Sequence, residues 1–211
     1  MLARQHIPDT LDLHAIPRHI SAMSILKIAR MGHPVLREVA DEVADPNDPE
    51  VQRLIDNMIE TMYDAQGQGL AAPQVYESVR LVVYLPPSED DDERDPRILI
   101  NPVITAIGEE IIPGWEGCLS VPGLRGMVPR HNYIHLTALD DNGDAIDEDI
   151  SGHHARVVQH ECDHLDGILY PMRMEDLSLF GFAEEVNRNK SLLARPNPEV
   201  DDAPDEEEEE A

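Results

Sequence analysis

The sequence predicts an α+β domain, and three observations carry that reading. A well-capped amphipathic helix lies in the first third of the chain, β-branched segments occupy the middle, and helical patterns return only after them. Asn47, Asp48 and Pro49 supply the cap and first turn of the first helix. Val51, Leu54, Ile55, Met58, Ile59 and Met62 then recur at helical spacing until Gly67 offers a stop. Residues 79–85 and 97–107 read as strands. Residues 132–139 and 144–150 read as a hairpin joined through Asp140-Asp141-Asn142-Gly143. Ser151 is placed to cap a second helix ending near Asp166, with Gly167 as its stop. A last helix is expected over about 176–189. No internal repeat is present, and the tail after Pro196 has little to bury and is expected to be disordered.

A chain of 211 residues with 41% hydrophobic content suffices for one domain with its own core. No apolar run approaches the ~20 residues of a membrane helix, and the first residues lack the pattern of a secretory signal. Two cysteines, Cys118 and Cys162, do not make a secreted disulfide scaffold, so the expected compartment is the cytoplasm. The net charge is −27; nine of the acids lie within residues 199–210, and removing them still leaves −18. Such a chain is poorly suited to binding nucleic acid nonspecifically. Only Lys27 and Lys190 are lysines, a bias that fits either a salt-loving host or GC-rich coding.

The chemistry concentrates on the second helix. At 100° per residue, Ala155, Val158, Cys162 and Leu165 form one face, while His153, Val157, His160 and His164 form the other, with Glu161 beside them. Within His160-Glu161-Cys162-Asp163-His164, two histidines at i and i+4 project together and can reach one metal ion. Glu161, one step round the helix, is placed to handle a proton from a water on that metal. The pattern also arises by accident in chains with ten histidines. Its position on a capped helix, opposite an apolar stripe, favours metal binding over a solvated face.

A hydrolytic site needs a third protein ligand and an open position. No downstream histidine or glutamate declares itself. Upstream, Glu116-Gly117-Cys118-Leu119-Ser120 offers a thiolate in a loop or strand, although a lone cysteine is more often a small buried hydrophobe. Cys162 fits that plainer role; spacing alone leaves Cys118 open. Gly67-Gln68-Gly69-Leu70-Ala71-Ala72-Pro73-Gln74 has glycines that let backbone approach a ligand, but lacks the lysine and hydroxyl of a phosphate-binding loop. Taken alone, it reads as a helix stop followed by a turn.

Together, Gly-x-Gly-Leu-Ala-Ala-Pro-Gln, Glu-Gly-Cys-Leu-Ser and Gln-His-Glu-x-Asp-His-Leu-x-Gly resemble the three signature motifs of peptide deformylases, in the family's order. The resemblance extends from about Ile25 to Met172 and includes Gly32-His33-Pro34-Val35-Leu36-Arg37 and Arg125-Gly126-Met127-Val128-Pro129-Arg130. It implies antiparallel or mixed β-sheets packed around a central helix carrying the metal motif, with an N-terminal and a C-terminal helix. It implies one metal ion per chain, typically Fe²⁺ with Ni²⁺, Co²⁺ or Zn²⁺ able to substitute, held by Cys118, His160 and His164. Glu161 would act as general base, with the Gln74 side-chain amide and the Leu119 backbone N–H stabilising the oxyanion. Gly69, Val157, His153 and Arg125 would contact substrate, and Glu116 and Arg130 would pair to support the cysteine segment. The implied activity is removal of the formyl group from the N-terminal formyl-methionine of nascent polypeptides. The rival enzymatic reading, a peptidase using the same helix motif, has no need of Cys118.

Two departures from the family concern the ends. Residues 1–22 look like an extension upstream of a start at Met23, leaving 23–190 as catalytic domain and 191–211 as acidic tail. Some bacterial members dock on the ribosome through a basic C-terminal helix. Here the acids at 206–210 are expected to weaken any transient ribosome association.

Overall fold

The computed structural model describes residues 24–87 and 95–193. The expected N-terminal extension and the acidic tail from residue 194 lie outside these described residues. The first helix, α1 (Pro49–Asp64), starts where its cap is expected: Asp48 accepts a hydrogen bond from the Glu50 N–H at 2.7 Å. Five strands form one antiparallel sheet in the order β1-β2-β3-β6-β7: β1 (Gly69–Ala71), β2 (Leu81–Tyr84), β3 (Arg97–Ala106), β6 (Tyr133–Leu139) and β7 (Ala145–Ser151). A second antiparallel sheet is ordered β4-β5-β8, from β4 (Ile111–Cys118), β5 (Val121–His131) and β8 (Phe180–Phe182). Helix α2 (Gly152–Leu165) lies between the sheets, and α3 (Ala183–Leu193) follows β8.

The five-stranded sheet is covered on both faces around β2, while one face of β6–β7, carrying His135, Asp147 and Asp149, is open to solvent. Side chains alternate along β2, so Leu81 and Val83 meet Ile55, Met58 and Met62 of α1, while Val82 and Tyr84 meet Ala155, Val158, Cys162 and Leu165 of α2. All four β2 residues are therefore buried. Towards the second sheet α2 turns a polar face. Gln159 exchanges two hydrogen bonds with the His131 backbone, at 3.1 and 2.8 Å, and Asp163 accepts from Arg130. The helix is thus buried on both sides, with hydrocarbon on one and ion pairs on the other. Its histidine face is interior, where the sequence pattern alone suggested only a face opposite the core.

Other expectations need correction. Asp176 does not start a helix: it caps a 3-10 turn at Leu177–Leu179, β8 follows, and α3 begins only at Ala183. Ser151 precedes α2 without a side-chain capping bond. The β6–β7 hairpin does form as expected, joined through Asp140 to Asp144, with the Asp140 carboxylate accepting from the Asn142 and Asp144 N–H groups. Sequence patterning also passes over β1, most of β4, β5 and β8. Pro113, Gly114, Gly117, Pro122, Gly123, Gly126 and Pro129 break the strand signal of the β4–β5 hairpin. Pro113 and Pro129 sit opposite one another in its register, on the edge strand and beyond the residues that β8 pairs, where a missing N–H is tolerated.

Candidate functional site

Three pieces of the fold converge on one cavity of about 650 Å³. The edge strand β1 and the turn after it bring Gly69 and Gln74, the β4–β5 hairpin brings Cys118 and Leu119, and α2 brings Val157, His160 and Glu161. His153 and Arg125 also line this cavity, and His164 lies beneath it, almost fully buried. All ten sequence-nominated site residues are therefore in or directly under one cavity.

Cys118 ends β4 and pairs with Val121, so Leu119 and Ser120 form the hairpin turn. Its sulfur lies 3.3 Å from His164 Nε2, and ligand atoms of Cys118, His160 and His164 all fall within 4.8 Å of one another. The two imidazoles meet edge to face, with centroids 5.1 Å apart. His160 directs Nδ1 to Glu116 Oε2 at 2.8 Å, which leaves Nε2 as the nitrogen free for a ligand bond. Burial opposes ionisation of the Cys118 thiol, but the charge of His164 and hydrogen bonds from both histidines hold it well below its ordinary value. Burial likewise opposes the charged form of His160, yet Cys118 and Glu116 hold its pKa well above the usual range. A thiolate flanked by two imidazoles is a donor set for Fe²⁺, Ni²⁺, Co²⁺ or Zn²⁺ rather than for Mg²⁺ or Ca²⁺. The buried Glu161 Oε2, without a hydrogen-bond partner among the described residues, stands beside this set. The residues present fit a metal ion.

Glu161 is buried, and burial pushes its pKa up against the lowering influence of His160 and His164. A carboxylate shifted upward takes up a proton more readily than a solvated one. Its side chain occupies the space that a Cβ on Gly69 would fill, which gives that glycine a steric reason. Gln74 is fixed at both ends of its amide. Oε1 accepts from the Ala71 N–H at 2.8 Å, so Nε2 must face Ser120 Oγ at 3.1 Å and Cys118 Sγ at 3.5 Å. At the rim, His153 Nε2 meets Gln68 Oε1 at 3.0 Å. Arg125 lies on β5 opposite Gly181 of β8.

A buried ionic network supports these groups. Arg130 makes a two-pronged pair with Glu116, 2.9 Å at each oxygen, and also reaches Asp163. Arg156 donates to Glu116 at 2.8 Å, and Arg173 to Asp163 at 2.7 Å. Burial alone would raise the Glu116 carboxyl, but hydrogen bonds from His160 and Arg130 outweigh it and hold the group at about 2. Sequence reasoning missed Arg156, Asp163, Arg173 and the cavity residue Trp115. Arg156 was within reach, since it stands four residues before His160 on the same helical face. Arg173 and Trp115 carry no signal of spacing.

Comparison with known proteins agrees with the site. Residues 25–192 match the family model described as polypeptide deformylase. The chain is 51% identical over 161 residues to peptide deformylase 1 of Bordetella pertussis, covering 74% of this chain and 92% of that protein. It is 45% identical over 166 residues to peptide deformylase 1 of Nitrosomonas europaea, covering 77% and 94%. Among solved structures, the peptide deformylase of Thermotoga maritima superposes with a TM-score of 0.66 at 38% identity, over 72% of this chain and 99% of that one. The class I type b peptide deformylase of Acinetobacter baumannii bound to Met-Ala-Ser gives 0.66 at 34% identity, over 72% and 99%. A family model matched across most of the chain, together with relatives about half identical over nearly their whole length, shows that the chain belongs to the polypeptide deformylase family.

Proposed function

We propose that this chain hydrolyses the formyl group from the N-terminal formyl-methionine of nascent polypeptides, releasing formate. The carrying observation is that Cys118, His160, His164, Glu161 and Gln74 come from three separate structural elements and meet at one cavity. Cys118, His160 and His164 hold one metal ion, with Fe²⁺ as the native species and Ni²⁺, Co²⁺ or Zn²⁺ as substitutes. When bound, the ion supplies Lewis acidity and lowers the pKa of a water. Glu161 Oε2, unpartnered among the described residues, accepts the proton of the attacking water and returns it to the departing amine nitrogen. The water oxygen bonds to the formyl carbon, the C–N bond breaks, and formate and the free methionine amine result. Gln74 Nε2 and the Leu119 N–H donate to the carbonyl oxygen as it gains charge, each worth about 2.7–4 kcal/mol of barrier. Val157 walls the pocket for the methionine side chain, the Gly69 backbone bonds the peptide, and His153 and Arg125 contact it at the rim.

On this reading the catalytic domain runs from residue 23 to the end of α3 at Leu193, three residues past the expected boundary at 190, with an extension at 1–22 before it and the acidic tail after it. Among the described residues no helix is long and apolar enough to cross a membrane. The enzyme works in the cytoplasm, and the tail weakens transient association with the ribosome. Formate release from formyl-Met-Ala-Ser, with metal-loaded protein kept anaerobic, tests the reading. Wild type should release formate while Glu161→Ala and Cys118→Ala should not; a folded, metal-loaded wild type that releases none would overturn it.

A further inference from the structure

Ser120 has no place in the chemistry above, yet each polar group of this buried residue visible in the contacts is spent on the site. Its N–H donates to Cys118 Sγ at 3.3 Å, and its Oγ accepts from Gln74 Nε2 at 3.1 Å. Its carbonyl accepts from the Met31 N–H at 2.7 Å. Ser120 is fully buried, so water does not compete for these bonds. The segment that holds its carbonyl also holds Gln74, because the Ala29 N–H donates to the Gln74 carbonyl at 2.7 Å. Ala29 and Met31 are two residues apart in the segment that runs into the turn at 31–32, and both donate across to the site. A single strand of backbone therefore clips the turn bearing Gln74 to the hairpin bearing Cys118.

We infer that Ser120 is a positioning residue for deformylation: its hydroxyl sets the plane of the Gln74 amide beside the Cys118 sulfur, within a brace completed by Ala29 and Met31. The inference rests on the deformylase reading. The Gln74 oxygen is already committed to the Ala71 N–H, so the amide cannot flip; what remains is tilting of the whole amide plane about that anchor. Ser120 Oγ fixes one N–H, and the other, which meets Cys118 Sγ at a long 3.5 Å, is the one that can turn to the carbonyl oxygen of the substrate. Losing the hydroxyl frees that tilting. A donor aimed at developing charge loses much of its value when misaligned, so the loss falls on kcat rather than on ground-state binding.

The test is a double-mutant cycle with Ser120→Ala and Gln74→Ala, alongside exchange of the Gln74 side-chain amide protons by NMR in the Zn²⁺-loaded protein. Ser120→Ala should lower kcat on formyl-Met-Ala-Ser by about tenfold to a hundredfold. KM and bound metal should stay unchanged. In the Gln74→Ala background it should have no further effect, because it acts through Gln74. The Gln74 amide protons, slow to exchange in Zn²⁺-loaded wild type, should exchange faster in Ser120→Ala. Unchanged kcat, an equal loss in both backgrounds, a loss carried by KM or metal content, or an unprotected Gln74 amide in wild type would each overturn the proposal. A wild type with a protected amide but no formate release would instead overturn the deformylase reading, and the proposal with it.

Discussion

Replacing Arg130 by methionine keeps most of the buried hydrocarbon stem but removes the cation shared by Glu116 and Asp163. All three side chains are at most 7% exposed, so the orphaned carboxylates cannot recover much hydration. Breaking a buried pair by deleting one partner costs about 3–5 kcal/mol. Here each carboxylate keeps a second cation, Arg156 for Glu116 and the half-exposed Arg173 for Asp163, which places the expected loss at the low end, about 3 kcal/mol. The Glu116 carboxyl gives a consistent scale. Its descent from 4.5 to about 2 corresponds to about 3 kcal/mol of stability near neutrality, shared among its partners. Because that pKa is depressed, its contribution is complete above about 4.5 and disappears as pH falls towards about 2. Arg130→Met should therefore also move acid unfolding to higher pH. Urea unfolding of the metal-loaded protein at pH 7 should show a lower midpoint at unchanged slope. Neutralising the carboxylates as well, with Glu116→Gln and Asp163→Asn, should recover part of the loss. A loss below about 1 kcal/mol, or a triple variant no more stable than the single one, would refute the assignment of Arg130 as the cation these carboxylates depend on.

Gly69→Ala should lower kcat/KM by about a hundredfold while circular dichroism shows a folded protein, because the added methyl claims the space of the Glu161 carboxylate. Glu161→Gln should cut kcat by about 10²–10⁴-fold with metal content unchanged by elemental analysis, since the carboxyl serves proton transfer rather than ligation. Glu116→Gln removes the carboxylate that orients His160; a chelator competition titration should find metal affinity about 10–100-fold weaker.

The sequence was most informative where a residue's neighbours in space are its neighbours along one element. Helix α1 with its Asp48 cap, the strands β2, β3, β6 and β7, and the histidine face of α2 all follow from periodicities of 3.6 or 2. Cys118 illustrates the limit. Its relation to His160 crosses 42 positions and depends on a hairpin whose prolines and glycines conceal it, so only the family motif connected the two. Gln74 is similar: its approach to Cys118 requires the pairing of β1 with β2, and β1 is only three residues long. Patterning also underrated how deeply α2 is buried, because a polar face normally signals solvent. Here it signals a second layer that recognises the helix through charge.

That division of labour on α2 explains how the site combines precision with polarity. Apolar contact with the five-stranded sheet fixes the helix in the fold but is tolerant of small rotations, since hydrocarbon packing has little directionality. The opposite face meets the β4–β5 hairpin through Asp163, Arg156 and His160, whose directional bonds to Arg130 and Glu116 tolerate little rotation, and the two-pronged Arg130–Glu116 pair holds those two partners in place within the hairpin. Glu116 is common to both functions, because the same carboxylate that accepts Arg130 also accepts His160 Nδ1. It lies two residues before Cys118 on the same strand. The strand that carries the thiolate therefore also sets the orientation of the histidine that faces it, and the metal-ligand geometry is coupled directly to the register between α2 and the second sheet.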